Sequence, residues 1–327
     1  MKAASAESTS LAADPGEGRD AFPYAYARSF LEFLRQQQPL IRTITYADLD
    51  FAAGDTHTDH YAAEFARWNQ RVAATPWMRR TIFVLLQHDV DFLPGHTMRM
   101  AADQARLGLR SNLMLFHRRI DRRRLQADDV VQEADYPLDW EQLRRLQASG
   151  FVLGYHSNAY EWSGFDRVKA AEVFCADLQA LRQQADFRFF SPHGGVRDAN
   201  GESNNILEVP SAVANSVHWV HNRFGLRFHG QFSDGGVYGA KRELEALDLI
   251  SFVRHWRAGR RYRVLLHPQY YGDPVRRVPR LSGVEWYERA LAADAPPESV
   301  GHPWRLARTA VPRWRAWLWR KMTAAHD

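Results

Sequence analysis

Apolar positions along the chain follow two spacings. From Tyr24 to Leu34 the spacing is helical, with Tyr26, Phe30, Phe33 and Leu34 on one face. A second amphipathic segment runs from His60 to Val72 and carries Tyr61, Phe65 and Trp68. Thr81 to Gln87 is a short continuous run rich in Ile, Val and Leu, the pattern of a strand buried on both faces. From there strands and helices alternate. Thr97–Leu107 reads as a helix closed by Gly108, Ser111–Phe116 as a strand, and Leu138–Ala148 as a helix ended by Gly150. Phe151–Tyr155 and Phe187–Ser191 read as strands on either side of a long helix, Val168–Gln184. Ser216–Val220, Leu226–Phe228 and Arg263–Leu266 are shorter strand candidates. Alternating β and α units predict a parallel sheet, and their number predicts an α/β fold of the distorted barrel kind. The chain divides into a disordered leader (1–20), a helical N-terminal extension packed outside the barrel (21–80), the barrel (81–295) and a basic, Trp-rich tail (296–327).

Polar residues collect where the predicted strands end. The first runs into HDVD, placing Asp89 and Asp91 there, and GYHSNAYE brings His156 and Glu161. SPHGG brings His193, and VLLHPQYYG brings His267. In parallel α/β folds the carboxyl ends of the strands share one face, where ligands bind. Taken singly, each residue has an ordinary explanation. A histidine after a strand commonly serves structure, Asp89 could cap the following helix, and Glu161 could sit in solvent. Their repetition at the same end of successive strands is what points to a site. Nitrogen and oxygen ligands suit zinc, with cobalt, iron or manganese as alternatives. A catalytic site would use three protein ligands and leave room for water.

HDVD after a first strand, a histidine after a GY turn and a late L-x-H resemble the polysaccharide deacetylases, the NodB-homology or carbohydrate esterase family four group. A divergent bacterial branch is closer still, with HDVD, a YH…E segment, an HG segment and an LHP-aromatic end. The resemblance covers roughly Thr81 to Gly272. It implies a distorted (β/α) barrel of about seven strands and a metal-dependent hydrolase. Asp89 then matches the general base, Asp91 and His156 match metal ligands, and His267 matches the general acid. Asp234, in FSDGG, sits where the family often has a site-orienting acid. The family commonly has a second histidine four residues after the first, but here that position is Tyr160. His193 is the candidate third ligand and Glu161 the runner-up. A backbone N–H in the Ser191–Gly195 loop is the candidate oxyanion donor, with Gly194 and Gly195 allowing close approach. Phe92, Tyr155, Trp162, Tyr270 and Tyr271 are candidates for stacking on a sugar or for packing the barrel mouth. Three functions follow: deacetylation of an N-acetylated sugar or polysaccharide precursor, hydrolysis of a small amide in the manner of the allantoinase-like relatives, or a silent barrel that binds within surface-polysaccharide biosynthesis.

Composition narrows the setting. The chain has 327 residues, 45% hydrophobic and 25% charged, as in a soluble globular protein. One cysteine, Cys175, precludes an internal disulfide and fits a reducing cytosol, although a cysteine-poor exported protein is equally free of disulfides. No window approaches the roughly 18–20 apolar residues needed to span a bilayer, so a cytoplasmic location is expected. From Gly301 onward six cations face one anion, Asp327, and this excess equals the whole net charge of +5. The body is therefore near neutral, which argues against nucleic acid as partner.

Within the tail, Arg313–Met322 has helical spacing, with Val311, Trp314, Leu318 and Met322 on one face. Two placements are open: docking on the barrel, or lying in an anionic membrane surface, where Trp favours the headgroup region and each cation contributes roughly 1 kcal/mol. Deleting the chain from Gly301 decides between them. Salt-sensitive binding to anionic vesicles that is lost on truncation, with the fold intact, identifies an interfacial helix. Aggregation of the truncated protein, with no vesicle binding by the full chain, identifies a docked one.

Overall fold

A computed structural model describes residues 22–52, 60–120, 133–194, 197–198, 200–206, 209–220, 226–234, 249–254 and 256–272. The expected leader, Gly195, the last part of the barrel segment and the basic tail lie outside the described residues.

The first described elements are β1 (Phe22–Pro23), α1 (Tyr24–Gln36), β2 (Ile41–Ile44), α2 (His60–Ala74), α3 (Pro76–Arg79), β3 (Ile82–Val90), α4 (Pro94–Arg106) and β4 (Asn112–Leu115). A small antiparallel pair, β5 (Arg119–Ile120) and β6 (Glu133–Ala134), follows. Next come α5 (Trp140–Ala148), β7 (Val152–Ser157), α6 (Ala159–Trp162), α7 (Arg167–Gln184), β8 (Phe187–Pro192) and β9 (His218–Trp219). The last are β10 (Gly230–Ser233), α8 (Leu249–Arg254), β11 (Arg261–Leu266) and β12 (Tyr271–Gly272).

The main sheet is parallel throughout, in the order β10-β11-β3-β4-β7-β8-β9, and curls into a half-barrel flanked by helices. This is the distorted (β/α) barrel that the strand–helix alternation predicts. The five helices expected between Tyr24 and Gln184 form within a few residues of their predicted bounds. Leu226–Phe228 is not a strand; the strand begins later, at Gly230. The first barrel strand extends past Gln87 to Val90, so His88 and Asp89 lie within the ladder rather than beyond it.

The expected outer extension also contributes to the sheet itself. β2 pairs with β3 over Ile82–Leu85, and β4 pairs with β3 over Gln87–Val90. Asn112 bridges this handover. Its Nδ2 donates to the Leu86 carbonyl at 2.7 Å, and its Oδ1 accepts from the Tyr46 backbone N–H at 2.8 Å. Tyr46 thereby enters the barrel interior.

Side-chain parity along β3 separates two cores. Ile82, Val84 and Leu86 pack with Phe30, Leu31 and Leu34 of α1 and with Phe252 and Val253 of α8. Phe83 and Leu85 face the other way, toward Trp68 of α2, Tyr46 and Phe189. On this inner face β11 also turns arginines inward. Arg261 is fully buried, and its Nη1 donates to Glu64 Oε1 at 2.6 Å while Nη2 donates to Oε2 at 2.5 Å. Its remaining donors reach the Arg227 carbonyl, and the guanidinium lies 5.1 Å from the Trp68 ring centroid. Such a pair holds only while both partners remain. Glu64→Ala is expected to destabilise the protein by about 3–5 kcal/mol, because it strands a buried guanidinium; urea unfolding measures this, and a loss below about 1 kcal/mol would contradict it.

Candidate active site

β3, β7, β8 and β11 end on one face, and their terminal side chains meet there. On β3 the inner-face positions after Leu85 are Gln87 and Asp89, and Asp91 follows just beyond the strand end. His156 is near the end of β7, His193 follows β8, and His267 follows β11. The register puts His156 opposite Ser191, so the two histidine-bearing strand ends stand side by side.

Asp91, His156 and His193 form a compact group, each offering a ligand atom within 4.8 Å of the others. Asp91 Oδ1 lies 3.1 Å from His156 Nε2 and 3.8 Å from His193 Nε2. His156 Nδ1 is 3.0 Å from the Ser191 carbonyl. A carbonyl accepts only, so Nδ1 carries the proton, and in the neutral ring Nε2 presents a lone pair to Asp91. Two acceptors thus face each other in a buried place. Asp91 Oδ1 is buried and makes no hydrogen bond among the described residues. A proton or a cation between them relieves this, and an Asp-His-His set with an orphaned carboxylate oxygen fits a divalent cation well. The titration directions agree. Burial resists charging either group, but the surrounding imidazoles, His193 foremost, hold the Asp91 carboxyl well below the usual range. Burial lowers the His156 pKa, and Asp89 and Asp91 more than offset it, so the net shift is upward.

Phe116 lies against both rings, stacked on His156 with centroids 5.0 Å apart and edge-on to His193 at 5.2 Å. Glu161 is buried behind His193, with Oε2 3.7 Å from His193 Nδ1. It is not one of the compact group of three. Tyr160, four residues after His156, turns away and donates to Asp198 at 2.9 Å.

His267 flanks the group from the other side. Its backbone N–H donates to Asp234 Oδ2 at 2.7 Å, and Nδ1 donates to Asp234 Oδ1 at 2.5 Å. Nε2 points toward Asp91, 3.8 Å from Oδ2. Burial works against its charge, yet the Asp234 carboxylate outweighs burial and the imidazole pKa is pushed up to about 10. Near neutral pH, His267 therefore carries a proton on Nε2. Asp89 presents its Oδ2 beside the group, 3.9 Å from His156 Nε2.

Other side chains near the strand ends take different places. His88 belongs to the other face of β3. It hydrogen-bonds Gln104 of α4, and burial lowers its pKa to about 4, so it is a neutral structural histidine. Tyr155 is fully buried, with its hydroxyl on Asp177 at 2.9 Å, and cannot stack on a ligand. Tyr271 is likewise buried in the outer core. Tyr270 stacks on His267 at 5.1 Å, and Trp162 lies under Arg118 at 4.4 Å. A Cβ at Gly194 would meet nothing within 4 Å, so the protein itself does not require glycine there. Phe92, covered by Arg119 at 4.1 Å, does line a narrow cleft with Asp91, Phe116, Asn158, Glu161 and His193. Residues that the pattern did not single out also reach the site. Gln269 donates to Asp91 Oδ2 at 3.3 Å and Gln87 to Asp89 Oδ1 at 2.6 Å. The LHPQ stretch and the Gln in QHDVD were the available signals: polar residues adjoining an apolar strand.

No family model and no curated protein sequence matches the chain. Among solved structures, it is similar to a family 4 carbohydrate esterase from Bacillus anthracis at 12% identity and a TM-score of 0.31, over 57% of this chain and 67% of that one. It is similar to a family 4 acetyl xylan esterase from Clostridium thermocellum, in complex with a cobalt ion, at 13% identity and a TM-score of 0.30, over 66% and 85%. A chitin deacetylase from Colletotrichum lindemuthianum gives 14% identity and a TM-score of 0.32, over 68% and 83%.

The cluster predicts its own metal behaviour. The purified protein should bind about one divalent cation per chain. Asp91→Ala combined with His156→Ala should abolish that binding, as read by elemental analysis after equilibration with zinc. Full occupancy in the double variant would show that the ligands lie elsewhere.

Proposed function

We propose that the protein is a divalent-metal-dependent hydrolase that removes the acetyl group from an N-acetylated sugar or polysaccharide precursor. The observation that carries this reading is the arrangement around Asp91. A cation-seeking Asp-His-His group lies between a carboxylate and a histidine held protonated by a buried aspartate. The ordered motifs HDVD, YH…E, HG and LHP resemble the polysaccharide deacetylases and support the same reading.

Asp91, His156 and His193 would hold the metal, with zinc expected and cobalt, iron or manganese able to replace it. A divalent cation at such a site supplies Lewis-acid polarisation of a carbonyl and lowers the pKa of water toward neutrality. The remaining work falls to the chain. Asp89 Oδ2 accepts the proton of the attacking water. His267 Nε2 gives its proton to the departing nitrogen, and Asp234 keeps the imidazole oriented and stabilises its charge. Gln269 fixes Asp91 Oδ2 from the end of β11, and Phe116 excludes water from one side of both histidines. Glu161 orients His193, the place an outer carboxylate takes behind a ligating histidine. Phe92 at the cleft supplies a face for a sugar ring, and Tyr270 keeps the His267 ring in place. An N–H after Ser191 is proposed to face the developing oxyanion. We place the enzyme in the cytoplasm, with peripheral membrane contact through the tail open.

Acetate release from N-acetylated sugars tests the reading. Asp89→Asn should retain metal but lose at least about 100-fold in turnover, within the span of general acid–base catalysis. His267→Ala should lose more on amides than on activated esters, since a good leaving group needs little protonation. Wild-type rates in both variants on a confirmed substrate would refute the assigned roles. Hydrolysis of a small non-sugar amide, with no acetate released from sugars, would favour the allantoinase-like alternative.

A further inference from the structure

The roles above leave one fully buried polar residue of β3 unexplained. Gln87 lies on the inner face, one alternation before Asp89, where an apolar side chain would pack at no desolvation cost. Its surroundings fix which way its amide points. Arg263 Nη2 donates to Gln87 Oε1 at 2.8 Å, and the Tyr46 hydroxyl donates to the same oxygen. A guanidinium has donors only, so the oxygen of the amide must face Arg263 and the nitrogen must face the other way. That nitrogen, Nε2, meets Asp89 Oδ1 at 2.6 Å.

Arg263 adds a second observation. It is 3% exposed, sits on β11 opposite Leu85, and has no carboxylate within 4.0 Å among the described residues. A buried guanidinium without a partner charge is costly. Here its charge is passed one residue along: Arg263 polarises the Gln87 amide, and the amide N–H meets the Asp89 carboxylate. Tyr46 reaches this point because β2 ends where β4 takes over the edge of β3.

We propose that Gln87, clamped by Arg263 and Tyr46, is the positioning residue of Asp89. It occupies Oδ1 with a charge-assisted hydrogen bond and so leaves Oδ2 as the oxygen turned to the site. The proposal rests on the reading of Asp89 as the general base. It gives the polar column Tyr46, Arg263, Gln87, Asp89 a single purpose, which is to aim one carboxylate oxygen.

Gln87→Glu separates positioning from mere stability. The substituted carboxylate pairs with Arg263 but turns its other oxygen on Asp89 Oδ1, so the neutral amide donor is replaced by a like charge or a shared proton. Gln87→Met removes both interactions. With metal content equal to wild type, Gln87→Glu should lower kcat on an N-acetylated sugar about 10–100-fold, with KM changed less than about twofold. A structural glutamine predicts the reverse: unchanged kcat in Gln87→Glu and a lowered melting temperature in Gln87→Met. Wild-type kcat in Gln87→Glu overturns the proposal. If the wild-type protein releases no acetate from any sugar, the functional reading fails instead, and side-chain amide NMR judges the proposal by itself. The Gln87 amide protons, assigned by their disappearance in Gln87→Glu, should be protected from exchange and lose that protection in Asp89→Ala. Unchanged protection would overturn it.

Discussion

The molecule is organised around two carboxylates two residues apart at the end of a buried central strand. Asp89 and Asp91 are each 7% exposed, and ionised groups that close, with that little water, repel each other and lose hydration. The fold offsets this in two different ways. Asp91 is ringed by imidazoles from β7, β8 and β11, which hold it ionised and leave one oxygen without a hydrogen bond among the described residues. Asp89 receives a neutral amide backed by a guanidinium. The first arrangement suits a charge that seeks a cation, and the second suits a charge that must remain available to take a proton.

Both solutions depend on β3 having three neighbours. β11 runs along one edge, while β2 and β4 share the other, with Asn112 satisfying the Leu86 carbonyl at the junction. A full-length neighbour in place of β2 and β4 would leave no entry for Tyr46. Parity then distributes function. Odd-numbered positions from Phe83 to Asp89 build the inner core and then the site, whereas even-numbered ones bind the strand to α1, α4 and α8. His88 shows the force of this rule: it sits between two site residues, faces Gln104 and takes no part in the site.

Much of this was legible in the sequence, and the missing parts share a cause. Long helices and apolar strands announce themselves by periodicity, so the alternation and the strand-end cluster Asp89, Asp91, His156, His193 and His267 could be read directly. β2 could not, since IRTI has four residues and follows the polar run QQQP. Gln87, Arg263 and Tyr46 were invisible for a different reason. Each is a polar or amphipathic residue inside an apolar strand or beside one, and what it does depends on a partner far away in sequence. Tyr155 looked like a mouth aromatic because of its place beside His156. Its register neighbour and the buried Asp177 on α7 decide otherwise.

Asp91, His156 and His193 are gathered by strand pairing rather than by one helix. Two ligands one turn apart on a helix keep their spacing by local geometry alone. Here Tyr160, four residues after His156, bonds Asp198, and His193 comes from the end of a neighbouring strand. Its spacing to His156 is therefore set by the β7–β8 ladder, including the His193 backbone N–H on the Ser157 carbonyl at 2.8 Å and the His156 ring on the Ser191 carbonyl. A one-residue slip between these strands would move both His193 and the acceptor that fixes the His156 tautomer. The ladder contains a register irregularity at Leu153/Gly154, before the site, and is regular from there to Pro192. At Gly154 an added Cβ would fall 2.6 Å from Met114 side-chain atoms and 3.2 Å from the Phe189 carbonyl, so the strands and the Met114 side chain pack closely there. The spacing of His156 and His193 is thus a property of strand pairing.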